Sequence, residues 1–88
     1  MPDPHDTETA RIVRLETATE TMMAYIGYLN TEIMKEEDEP KPNQAKLKAL
    51  RIQKNAVLDE RQAITPVNED LISKAVYVYA PIMKALYA

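Results

Sequence analysis

The chain has 88 residues, a net charge of −3, no cysteine and one histidine. This composition excludes disulfides and argues against a structural zinc site. One glycine, no Phe or Trp, and abundant Ala, Leu, Glu, Lys and Met predict a single all-α domain, with a flexible tail over residues 1–5 and three helices. Because so small a core is only marginally stable, we expect oligomerisation to complete the helical bundle.

The first predicted helix runs from about residue 6 to about residue 38, with Asp6 or Thr7 as N-cap, and Pro40 and Pro42 end it. Apolar positions recur at alternating steps of three and four, which is the spacing of a coiled-coil seam. The seam is Ile12, Leu15, Thr19, Met22, Ile26, Leu29 and Ile33, and Val13, Met23, Tyr25 and Met34 widen it. A glycine within a helix costs about 1 kcal/mol relative to alanine. Gly27 is therefore either a tolerated residue or the site of a kink or a close backbone contact, and we favour the contact.

The second predicted helix runs from about residue 43 to about residue 63 and folds back on the first. Its apolar stripe is Leu47, Leu50, Val57, Leu58 and Ile64. Residues 6–39 carry nine acids and three bases, whereas residues 43–64 carry five bases and two acids. Opposite charge favours an antiparallel hairpin, although each exposed ion pair is worth only about 0–1 kcal/mol. Apolar burial therefore supplies the stability, and charge helps to select the pairing.

The third predicted helix runs from about residue 68 to about residue 88 and is kinked or broken near Pro81, whose ring clashes with the carbonyl of Tyr77 in a regular helix. From residue 71 onwards the segment is apolar on every side. Only Ser73, Lys74, Pro81 and Lys84 interrupt the run. A helix without a polar face must be covered, so we expect a second copy or another protein to bury it.

Helix length supports the same expectation. The first helix is roughly 50 Å long, and the second covers only about 30 Å of it, so Ile12, Val13 and Leu15 are expected to project past the hairpin. Tyrosine is common at interface hot spots because it joins an apolar ring to a hydroxyl group. The predicted interface is Ile12, Val13, Leu15, Met22, Ile26, Leu29 and Ile33 in the first helix, and Leu71, Ile72, Val76, Tyr77, Tyr79, Ile82, Met83, Leu86 and Tyr87 in the third.

The sequence also offers alternatives to a role in protein–protein contact. A nucleic-acid-binding regulator would use the basic residues of the second helix, which are Lys46, Lys48, Arg51, Lys54 and Arg61. A magnesium-dependent helical enzyme would use acidic clusters drawn from Glu32, Glu36, Glu37, Asp59, Glu60, Glu69 and Asp70. These acids lack paired, regular spacing and a basic phosphate clamp, and the Glu16/Glu20 and Glu32/Glu36 pairs lack the Glu-x-x-His motif of di-iron bundles.

A membrane-surface helix would place Lys74 and Lys84 at the headgroups, but it would also need a strongly polar face. The N-terminal sequence has no signal-peptide pattern, so a soluble, cytoplasmic location is expected. The sequence therefore predicts a non-enzymatic protein–protein interaction module (a small adaptor, regulator, inhibitor or chaperone). It is expected to act as a homodimer or higher oligomer, without a cofactor or metal, and its third helix is buried either in that oligomer or by another protein.

Overall fold

A computed structural model describes residues 8–87 of the chain, with side chains from residue 9. Its helices are α1 (Glu8–Glu37), α2 (Gln44–Ala63), α3 (Glu69–Lys74) and α4 (Ala80–Leu86), and a π-helical turn, Ala75–Tyr79, joins α3 to α4. No strand occurs within residues 8–87, so the predicted all-α class is confirmed. The continuous segment from Glu69 to Leu86 is called the third helix below.

Side-chain caps define the starts of α2 and α3. The Asn43 side chain accepts a hydrogen bond from the Lys46 backbone N–H at 3.1 Å, and the Asn68 side chain accepts one from Leu71 at 3.2 Å. An asparagine cap satisfies backbone donors that the first helical turn leaves free. The expected cap and tail before α1 lie outside the described residues.

Helix α2 packs antiparallel against α1. Near the turn, Lys46 and Glu36 form an ion pair at 3.5 Å. Further along, the Gln53 side chain donates a hydrogen bond to the Tyr25 hydroxyl at 3.3 Å. The core of the hairpin includes Leu29 and Ile33 of α1 and Leu47 and Val57 of α2, all of which are buried.

The third helix lies alongside the N-terminal half of α1 and runs in the same direction. Arg14 and Glu69 form an ion pair at 3.9 Å near its start, and the rings of Tyr25 and Tyr79 lie 5.1 Å apart further on. The third helix thus gives α1 a neighbour within the chain between Arg14 and Tyr25. Ile12 and Val13, which were expected to project past the hairpin, are 44% and 54% exposed, and Leu15 is partly buried.

Pro81 neither breaks nor ends the third helix. The preceding turn widens, and the Ala80 backbone N–H donates to the carbonyl of Ala75, five residues earlier. Pro81 then falls in the first turn of α4, where the missing N–H of proline is tolerated. The π-helical turn accommodates the proline without a sharp break, as such turns do elsewhere in helices.

The close contact expected at Gly27 is not made within the described chain, where a Cβ at this position would meet no atom within 4 Å. The described residues form an elongated shape, in keeping with the predicted length of the first helix. The radius of gyration is 15.8 Å and the extents are 62 × 27 × 14 Å, whereas a compact domain of this length has a radius of gyration near 12 Å.

Candidate interaction surface

The inner side of the third helix is a narrow apolar stripe. Ile72, Ala75 and Tyr79 are 4%, 0% and 2% exposed. They join a core cluster that includes Met22 of α1 and Val57 of α2. Steps of three and four residues place these side chains on one side of the helix, so one stripe attaches the third helix to the hairpin.

A polar cluster of Glu60, Lys74 and Tyr79, called the clasp below, joins the third helix to α2. The Tyr79 hydroxyl donates to the Glu60 carboxylate and lies 3.0 Å from Oε1 and 2.8 Å from Oε2. The Lys74 ammonium donates to Oε1 of Glu60 at 2.7 Å and lies 5.5 Å from the centre of the Tyr79 ring. One carboxylate of α2 thus binds two side chains of the third helix.

The electrostatics of the clasp stabilise the forms that these side chains already have at neutral pH. Burial raises the pKa of the Tyr79 hydroxyl, and its hydrogen bond to Glu60 raises it further. The hydrogen bond to Glu60 is also the main reason why the pKa of Lys74 is raised. A nucleophile or general base needs a pKa close to the working pH, and both shifts move these pKa values further from neutral pH. The clasp is therefore suited to holding the helices together.

Outside the inner stripe, large apolar side chains of the third helix and of its C-cap residue Tyr87 are exposed to solvent. Val76, Val78, Ile82 and Leu86 are 37–46% exposed, and Tyr77 and Tyr87 are 76% and 71% exposed. Large apolar groups concentrated on one element mark an interaction surface more often than single exposed residues do. These six residues are called the third-helix face below.

The predicted interface residues fall into three groups. Five are buried in the core of the chain itself, namely Met22, Leu29, Ile33, Ile72 and Tyr79. Four are partly buried, namely Leu15, Ile26, Leu71 and Met83. Seven are exposed, namely Ile12, Val13, Val76, Tyr77, Ile82, Leu86 and Tyr87. Only the last group offers a partner a substantial area.

Sequence reasoning missed two features of this surface. Val78 was not among the predicted interface residues, although Val76 and Tyr77 of the same π-helical turn were. Glu60 was considered only as part of an acidic cluster. Its spacing carries no signal for the clasp, since its two partners are 14 and 19 residues away in sequence.

The residues of the alternative functions are placed as follows. In the second helix, Lys46 pairs with Glu36 and Arg51 with Glu37, each at 3.5 Å, so part of the basic row is neutralised within the hairpin. Over residues 8–87, no three acidic, histidine or cysteine side chains are grouped so that they could hold a metal ion. None of the helices described is long and apolar enough to cross a membrane.

Comparison with known proteins assigns this chain to no family. No protein-family model matches the chain, and no curated protein or solved structure is significantly similar to it.

Proposed function

We propose that this protein is a non-enzymatic protein–protein interaction module that acts as a homo-oligomer through exposed apolar helix faces. Roles of this kind include small adaptors, regulators, inhibitors and chaperones, and we place the protein in the cytoplasm. The observation that carries the proposal is the third-helix face, which concentrates six large apolar side chains on one short element.

The composition of the face supports contact with a protein. Tyr77 and Tyr87 are its most exposed members, and an exposed tyrosine offers a partner both a ring and a hydroxyl group. Interface centres are depleted in charge and enriched in aromatic residues. Within residues 75–83 no charged residue occurs, and Lys74 is engaged by Glu60.

The attachment of the third helix supports the same role. The helix is anchored by the inner stripe and by the clasp at Glu60, so neither anchor uses the outer residues. A contact surface on an anchored helix is already ordered, and binding then loses less conformational entropy. A partner can therefore dock on the third-helix face without displacing the core.

The test measures molar mass by light scattering across a hundredfold range of concentration. The variants are Tyr77→Asp, Ile82→Asp and Leu86→Asp, and the matched control is Ile52→Asp, because Ile52 is 60% exposed on α2. We expect the wild type to be an oligomer and the third-helix variants to dissociate or aggregate, whereas the control keeps the wild-type mass. Burying an unpaired carboxylate in an interface is strongly unfavourable.

The proposal fails for the third-helix face if these variants stay folded, soluble and unchanged in mass and thermal stability. Circular dichroism at each concentration separates dissociation from unfolding.

A further inference from the structure

A groove between α1 and α2 contains two cavities, of about 150 Å³ and 460 Å³, and is called the hairpin groove below. In each helix the lining residues recur at steps of three and four, so they share one helix face. The α1 wall includes Met23, Ile26, Asn30 and Met34. The α2 wall includes Lys54, Leu58 and Arg61. Both cavities therefore lie on the same side of the hairpin, and they extend over residues 23–37 of α1, a length of roughly 21 Å.

The third helix occupies the other side of the hairpin. It joins α2 through the clasp at Glu60, and its Ala80 and Met83 line a cavity with Thr21 and Ala24 of α1. These positions lie on different helix faces from the walls of the hairpin groove. None of the described third-helix residues lines either cavity of the groove. A helix thus covers one side of the hairpin, and the groove on the other side is open.

The hairpin groove offers apolar side chains to a partner. Met23 and Met34 are 52% and 65% exposed, and Ile26 and Leu58 are partly buried between the two walls. Methionine adapts its shape to its neighbours and is common at binding surfaces for that reason. An amphipathic helix commonly binds by placing its apolar face in a groove of this kind. A helix is therefore the element of a partner that fits the length and composition of the groove.

The α2 wall adds positive charge that the chain does not neutralise. Lys54 and Arg61 form no ion pair with any described residue. Both are only partly exposed, and the buried Nε of Arg61 has no hydrogen-bond partner among the described residues. A charge beside apolar groups interacts more strongly with an opposite charge than a fully solvated one does. The α2 wall therefore favours a partner that carries carboxylates.

The chemistry of the groove selects among the possible occupants. A second copy docked through its third helix supplies no carboxylate side chain, because residues 71–88 contain no acid. A phosphate backbone would match Lys54 and Arg61, but it would leave the methionines of the α1 wall uncovered. An acidic amphipathic helix of another protein satisfies both walls.

We infer that the hairpin groove binds an amphipathic helix of another protein, whose apolar stripe packs on Met23 and Met34 and whose flanking carboxylates lie beside Lys54 and Arg61. The inference rests on the proposed role in protein–protein interaction and adds a second surface to the third-helix face. The docked helix covers this side of the hairpin as the third helix covers the other.

Peptide binding to the full chain tests the inference. The probe is a labelled peptide with three repeats of Glu-Leu-Ala-Ala-Leu-Glu-Gln, which as a helix has a leucine stripe flanked by glutamates. The control peptide has lysine in place of every glutamate. Fluorescence anisotropy measures both dissociation constants. We expect the glutamate peptide to bind at least about tenfold more tightly than the lysine peptide, and added salt to reduce the difference.

A charge reversal in the α2 wall locates the site. Lys54→Glu/Arg61→Glu should weaken binding of the glutamate peptide at least about tenfold and strengthen binding of the lysine peptide by a similar factor. Unfolding would not produce the gain for the lysine peptide. The matched control is Arg11→Glu/Lys84→Glu, which changes the net charge equally at two exposed residues that line neither cavity. It should bind both peptides as the wild type does.

A substitution in the α1 wall provides a second measurement. Met23→Glu places a carboxylate in the apolar part of the groove and should also weaken binding of the glutamate peptide at least about tenfold. Ile52→Glu is the control, because Ile52 is 60% exposed on α2 and lines neither cavity. Met23 is half exposed, so its replacement leaves the core intact, and circular dichroism confirms that each variant is folded.

The inference is overturned if the glutamate peptide does not bind, or if it binds the folded Lys54→Glu/Arg61→Glu variant as tightly as the wild type. A labelled single-stranded oligonucleotide that displaces the peptide would assign the groove to nucleic acid. A lower oligomer mass of the Lys54→Glu/Arg61→Glu variant by itself would assign the groove to a second copy. Either of these two results also overturns the inference.

The third-helix variants separate this inference from the proposed homo-oligomer. Tyr77→Asp lies outside the hairpin groove and should leave binding of the glutamate peptide unchanged, whatever its effect on molar mass. If Tyr77→Asp keeps the wild-type mass and the peptide still binds the groove, the oligomer contact fails and the groove stands. If Tyr77→Asp dissociates the oligomer and no peptide binds, the groove fails and the third-helix face stands.

Discussion

The α1–α2 hairpin and the third helix both have apolar side chains to bury, and they do so in different ways. The hairpin buries its apolar stripes between its own two helices and adds complementary ion pairs at Glu36 and Glu37. The third helix buries one stripe and leaves six large apolar side chains exposed. The hairpin also leaves large apolar side chains exposed, but they are spread over two longer helices, whereas the third helix concentrates its exposed apolar groups on one short segment. This concentration is the feature that points to function.

The largest expected effect comes from the two sides of the third helix itself. Ile72 is 4% exposed and Ile82 is 37% exposed. Ile72→Ala should lower the free energy of unfolding by about 2–5 kcal/mol, because it leaves a cavity in the core. Ile82→Ala should lower it by less, because part of this side chain is already exposed to solvent. Urea unfolding at a concentration that keeps one oligomeric state measures both values.

Equal losses at Ile72 and Ile82 would contradict the division into an anchored side and a free side. A loss at Ile82 that grows with protein concentration would instead place that residue in a contact between copies, because association contributes to apparent stability.

The next effect concerns the clasp. Tyr79→Phe removes the hydroxyl that binds Glu60, and we expect a loss of about 1–3 kcal/mol in the free energy of unfolding. Tyr77→Phe is the matched control, because Tyr77 is 76% exposed and its hydroxyl forms no hydrogen bond to a described residue. If the two variants unfold at the same denaturant concentration, the clasp does not contribute to stability.

The clasp also predicts the direction of the pH dependence. The pKa values of Tyr79 and Lys74 are both raised in the fold. Their contribution is fully present below their unfolded-state pKa values, near 10, and is lost as the pH rises through the higher folded-state values. Thermal unfolding from pH 8 to pH 11 should show this alkaline loss in the wild type and in Tyr77→Phe, and a smaller loss in Tyr79→Phe.

The smallest effect is a gain in the hairpin. Gly27→Ala should raise the free energy of unfolding by about 1 kcal/mol, because alanine favours the helix and its Cβ meets no described atom within 4 Å. Urea unfolding of the dilute chain measures this change. A loss of stability would show that another molecule approaches Gly27 closely.

Much of the hairpin could be predicted from the sequence. The steps of three and four that select Met22, Leu29 and Ile33 are local, and so are the asparagine caps and the prolines that end α1. Local geometry fixes which side chains share a helix face. The all-α class and the elongated shape therefore follow from the order of the residues alone.

The partners of each face depended on tertiary structure. The sequence suggested that both ends of the chain carry apolar surface for an external partner. The tertiary structure packs part of each end against the other, as the Arg14–Glu69 ion pair and the Tyr25–Tyr79 contact show, and leaves Ile12, Val13 and the third-helix face exposed. The clasp at Glu60 likewise depends on residues brought together from different helices. The sequence by itself determined how much apolar surface the helices carry, because hydropathy and helical period are local properties. Only the tertiary structure decided which part is buried within the chain, because burial depends on contacts between residues distant in sequence.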